Sequence, residues 1–168
     1  MMGQKTAITI IFSIITILIV GSSNALATVV QFNERDFEIR DFGFKDGTPW
    51  LTVTGNAGGS KPDNASQIYA YAFVTDKGIF AVVSHGVEDS AEVENDTEWH
   101  SHGVTLDANN CVTKLNDDGK AEVTNEIKVV NTTATKVDKV MTAVLGLNNA
   151  DAKVCVEKVM DSKNSTEQ

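Results

Sequence analysis

All three histidines of this chain fall within one stretch, residues 79–106, which reads IFAVVSHGVEDSAEVENDTEWHSHGVTL. Two apolar, alternating runs flank an acidic connection, the pattern of two antiparallel strands joined by a long loop. Ile79, Ala81, Val83 and His85 share one face of the first run, and Glu98, His100, His102, Val104 and Leu106 share one face of the second. With Ile79 opposite Leu106, Val83 meets His102 and His85 meets His100. Three imidazoles and the carboxylate of Glu98 then gather at one end of one sheet face. Residues two apart on a strand can share an ion, so the expected metal site is His85, His100 and His102, with Glu98 as a fourth ligand. Neutral imidazoles suit zinc, copper or nickel and do not suit calcium. An open fourth position would admit water, and with it metal-hydroxide or redox chemistry. A slip of one residue would carry His85 to the opposite face and leave the imidazoles as ordinary rim residues.

The connection between the runs carries Glu88, Asp89, Glu92, Glu94 and Asp96 and no basic residue. It reads as a solvated loop that concentrates cations near the histidines. Other catalytic patterns are missing: there is no Gly-x-Ser-x-Gly elbow, and Ser84 beside His85 is no triad because adjacent strand residues face opposite ways. Gly58-Gly59-Ser60-Lys61 lacks the spacing of a phosphate-binding loop, and no apolar helix follows it, so 55–66 is expected to be a mobile surface loop. No catalytic residue is assigned, and a metal-dependent enzyme ranks below a binding protein.

The elements that must position these side chains read almost entirely as strands. The alternation Phe37-Glu38-Ile39-Arg40 is a half-buried strand, 29–32 is a short apolar strand, and 50–54 (WLTVT) is another. Residues 68–75 (IYAYAFVT) turn through Asp76-Lys77-Gly78 into the first histidine strand, and 97–106 extends that hairpin as a meander. Residues 111–115 pair with 120–124 across Asn116-Asp117-Asp118-Gly119, and 126–131 follows as a short strand. Over 135–147, Val137, Val140, Met141, Val144 and Leu145 fit a helical spacing, but the β-branched content and the surrounding strands favour a strand. Residues 153–159 form the last strand, and 161–168 a loose polar tail. About nine or ten short strands with frequent turns predict an all-β, single-domain antiparallel β-sandwich, Ig-like or jelly-roll-like, each sheet burying one face.

Residues 1–27 stand apart. Lys5 supplies a positive start, 7–20 an apolar run shorter than the roughly 20 residues of a spanning helix, and Ala25-Leu26-Ala27 a cleavage pattern. The expected organisation is a signal peptide over 1–27, a β-sandwich domain over 28–160 and the tail over 161–168. The whole chain has 14 Lys+Arg against 23 Asp+Glu, and the leader holds only Lys5, so its removal takes the net charge from −9 to −10. Such a surface repels phosphate backbones and anionic lipid, which excludes nucleic acid and membrane surfaces as partners. The two cysteines, Cys111 and Cys155, are expected to form a disulfide in an exported chain; a thiolate metal site with a histidine is the alternative. Sequons at Asn64, Asn95, Asn131 and Asn164 are glycosylation candidates that agree with export.

The segment Trp99-His100-Ser101-His102-Gly103 resembles the His-x-His strand of the copper-zinc superoxide dismutases, which are also β-sandwiches. That family uses several further histidines, one bridging two metals, and this chain has only His85 besides the pair, so dismutation is not implied. The exported portion as a whole faintly resembles small secreted all-β proteins of archaea, which implies an address and no activity. The expected function is a secreted or cell-surface binding module holding zinc or copper, with a metal cation or an extracellular protein as partner. The alternative is a structural or adhesive protein whose histidines are incidental.

Overall fold

A computed structural model describes residues 32–62, 64, 66–85, 98–116, 119–148 and 153–165. The expected leader, the strand residues 29–31, the acidic connection and Asn95 lie outside them. Among these residues, ten strands follow a 3-10 turn at Glu34–Asp36: β1 (Ile39–Lys45), β2 (Thr48–Val53), β3 (Gln67–Thr75), β4 (Gly78–His85), β5 (His100–Leu106), β6 (Val112–Asn116), β7 (Lys120–Val123), β8 (Ile127–Val130), β9 (Val137–Asn148) and β10 (Lys153–Asn164). They form two antiparallel sheets, one of four strands ordered β1-β2-β8-β7 and one of six ordered β10-β9-β3-β4-β5-β6. The expected all-β sandwich is observed.

The inner faces of the two sheets make the main core. Tyr69, Tyr71 and Phe73 of β3, Phe80 and Val82 of β4 and Val140 of β9 pack against Ile39, Leu51, Ile127 and Val129 of the smaller sheet. Each such side chain, once buried, contributes about 1.5–3 kcal/mol. Phe37, just before β1, joins the layers: its ring stacks on Tyr71 with centroids 5.5 Å apart and meets Tyr69 edge-on at 5.2 Å. Its carbonyl accepts a 2.6 Å hydrogen bond from the buried Thr142 hydroxyl.

Residues 137–148 form a strand, as the β-branched content favours over the helical spacing. Three readings need correction. The hairpin between 111–115 and 120–124 does not form: β6 lies beside β5, with Val104 opposite Leu115, and β7 lies beside β8, with Lys120 opposite Val130. The chain changes sheets between β6 and β7, and β7 pairs with β8 across a tight turn closed by Thr124 N–H donating to the Glu126 carbonyl at 3.0 Å, which packs Ala121 and Val123 against the inter-sheet core. The tail is not loose as far as Asn164, because β10 continues pairing through Asn164, opposite Lys139.

The loop expected to be mobile is anchored. Ser60 is fully buried and its hydroxyl donates to the buried Asp36 carboxylate at 2.8 Å, which also accepts from Asn33 Nδ2 and the Asn56 N–H, each at 2.8 Å. The Tyr71 hydroxyl donates to the Asp36 carbonyl at 2.9 Å and accepts from Gly58 N–H at 3.3 Å, while Trp99 Nε1 donates to the Gly58 carbonyl at 3.1 Å. Burial, joined by the Asp36 charge, pushes the Tyr71 phenol well above its ordinary value against the lowering effect of the Gly58 N–H. It stays a neutral donor at any physiological pH.

Asp76, in the turn between β3 and β4, ties that turn to the chain entering β9. Its carboxylate accepts from the Thr135 N–H at 2.8 Å, the Thr135 hydroxyl at 3.0 Å and the Lys136 N–H at 3.3 Å. These bonds, the Thr135 N–H foremost, lower its pKa to about 2. A carboxyl depressed on folding adds stability above its unfolded pKa and loses that contribution as the pH falls through the folded value. The melting temperature of Asp76→Ala is therefore expected to lie below that of the parent at pH 7, with the gap closing between pH 4 and pH 2. A gap unchanged across that interval would contradict the assignment.

Candidate metal centre

The three histidines stand in a column where β4 meets β5. The register places Ile79 opposite Val104, Ala81 opposite His102 and Val83 opposite His100. This is displaced by two residues from the expected pairing, so His85 does not lie directly opposite His100 but diagonally beyond it. A displacement of two preserves the face of every side chain, since strands alternate with period two. His85, His100 and His102 therefore still share one face.

His85 Nε2 lies 3.2 Å from His100 Nε2, with the rings nearly perpendicular and their centroids 4.9 Å apart. The rings of His100 and His102 are also perpendicular, with centroids at 4.8 Å. His85 is buried at 3 % exposure, whereas the other two are half-buried. His100 Nδ1 is 2.8 Å from the Glu98 carbonyl oxygen, which can only accept. The Nδ1 proton is thereby fixed, and in the neutral ring Nε2 presents its lone pair toward His85. Glu98 thus contributes its backbone, while the residue as a whole is exposed.

Two imidazoles come together at their Nε2 atoms, and the third lies edge-on to His100. Among the described residues no three His, Cys, Asp or Glu side chains converge on one ion position. The cysteines take no part: Cys111 and Cys155 form a disulfide that closes a separation of 44 residues. Asn64, Asn131 and Asn164 are described, and Asn131 adopts a left-handed φ of 60° just after β8.

The face that carries the histidines is otherwise apolar, which the expectation of one buried face per sheet misses. Leu145, Ile68 and His85 form one row across β9, β3 and β4; Ala143, Ala70, Val83 and His100 form the next; Met141, Ala72, Ala81 and His102 the third. The sheet curls until its two edges touch. The Cys111–Cys155 disulfide joins the chain before β6 to β10, and Val156 N–H donates to the Asn110 carbonyl at 3.0 Å. The resulting trough has a volume of about 260 Å³ and is lined by all six strands, with His85 and His102 as its polar residues among those described. The runs IYAYAFV and IFAVV do carry a signal for this, because a strand buried on both faces reads as a continuous apolar stretch.

No protein family, curated protein or solved structure matches this chain. Its chemistry has to be read from its own side chains.

Proposed function

We propose that the protein is an exported β-sandwich binding module that holds a divalent transition metal, zinc or copper, at His85 and His100, with His102 as the third ligand. One observation carries this reading: the 3.2 Å between the Nε2 atoms of His85 and His100. Two metal–nitrogen bonds of 2.0–2.1 Å meeting at the tetrahedral angle set their nitrogens about 3.3 Å apart. The Glu98 carbonyl supports it as an outer partner that keeps the ligating nitrogen of His100 unprotonated. His102 reaches a shared ion by turning about its side-chain torsions from its edge-on position.

Export is supported by the apolar run and cleavage pattern of 1–27 and by the disulfide, which persists in oxidising compartments. Among the described residues no helix is long and apolar enough to cross a membrane. A second reading, a structural or adhesive protein without a metal, draws on the same contact. In that case the same 3.2 Å is an N–H to N hydrogen bond within the imidazole pair.

Thermal melting with added zinc or copper separates the two. A metal present at one hundred times its dissociation constant stabilises the fold by about 2.7 kcal/mol. For a domain of this size that is a rise of about 5–10 °C. His85→Ala combined with His100→Ala is expected to abolish the rise, and His102→Ala to reduce it. Elemental analysis of the protein isolated from its native source is expected to find the metal. Absence of any metal-dependent shift would leave the structural reading.

A further inference from the structure

We infer that the trough inside the six-stranded sheet is a binding site for a small apolar molecule: a single chain or ring of about nine carbon-sized units, with one hydrogen-bonding head directed at His85 or His102. The inference does not depend on the metal. It rests on closure, size and lining.

Closure distinguishes the trough from a bare sheet face. The edges of the sheet are brought together by the disulfide and by the hydrogen bond from Val156 to Asn110, so the space is walled on both sides. Its floor is cut deep by small side chains, Ala70, Ala81 and Ala143, exposed by 2, 7 and 3 %. At the rim Leu115 is 52 % exposed and marks the opening to solvent.

Size decides what enters. A volume of about 260 Å³ corresponds to roughly nine water-sized or methylene-sized units at about 30 Å³ each. One turn of an α-helix, about 10 Å across and 5.4 Å long, needs roughly 400 Å³ and does not fit. An inserted extended peptide would bring backbone N–H and C=O groups into a lining that, among the described residues, offers two imidazoles, and each unpaired group costs free energy. A small molecule with an apolar body has no such requirement. Its polar head meets His85 and His102, the polar residues of the lining among those described.

The test uses the full chain in excess EDTA, so that its outcome is separate from that of the metal. 7-Azaindole, a neutral dye of nine ring atoms that brightens away from water and so matches the size of the trough, is titrated in, and a series of 1-alkanols is then used to displace it. Dye binding is expected to saturate at one site per chain. Displacement should strengthen about fourfold per added methylene and stop strengthening near about nine carbons. Ala81→Leu and Ala143→Leu each place three more carbons in the trough, so each is expected to shorten the best alkanol by about three carbons. Alkanol affinity climbing steadily past a dozen carbons would indicate an unbounded greasy surface and overturn the inference, as would failure to bind the dye. Should the filled variants not fold, the chain-length series on the parent decides alone.

Discussion

Replacing Cys111 and Cys155 with serine is expected to cost about 4 kcal/mol of unfolding free energy, the loop-closure value for a separation of 44 residues. In a urea melt monitored by tryptophan fluorescence the midpoint should fall, because the unfolded chain regains the freedom that the bridge removes. The structure adds a local reason. Besides the bridge, the seam between the chain before β6 and β10 is held by the hydrogen bond from Val156 to Asn110. Dye binding should therefore weaken more steeply than the midpoint falls, since the trough loses a wall while the inter-sheet core is untouched. A double-serine variant within 1 kcal/mol of the parent would contradict the loop-closure account.

The second large effect is expected at Phe37. Truncation to alanine removes a ring 1 % exposed that stacks on Phe32 and Tyr71 and meets Tyr69 edge-on. Phenylalanine-to-alanine changes in a core cost about 3–5 kcal/mol through lost transfer energy and residual cavity. The site lies at the junction of the turn Glu34–Asp36, β3 and β9, so little of the surroundings can collapse into the gap. Val159→Ala, at a residue 49 % exposed on β10, is the control and is expected to change stability by about 0.5 kcal/mol or less. Equal effects at the two positions would contradict the placement of the core.

Strand content was legible because it rests on local alternation. The β3–β4 hairpin and the pairing of β5 onto β4 follow from runs of apolar residues around turn residues, and both are observed. The shared face of His85, His100 and His102 was legible for the same reason, since period two survives a register displaced by two residues. The displacement itself was not, because the connection between β4 and β5 is long and fixes no register the way a two-residue turn does. The corner between β6 and β7 was misread because Asn116 to Gly119 carries the same residues whether a chain reverses within a sheet or steps between sheets. The anchoring of Gly58 to Ser60 was hidden because its partners, Asp36, Tyr71 and Trp99, are distant in sequence and give no short-range sign of meeting. Which two imidazoles meet depended on a diagonal contact that only the register decides.

β3 has aromatic rings on one side, at Tyr69, Tyr71 and Phe73, and single methyl groups on the other, at Ala70 and Ala72. The molecule thus has two interiors separated by the thickness of one backbone, one filled to hold the frame and one hollow. A methyl group on the trough side points away from the rings on the filled side, because successive residues of a strand face opposite ways. Neighbouring residues of a single strand accordingly answer to different surroundings, one to the rings and the next to the trough.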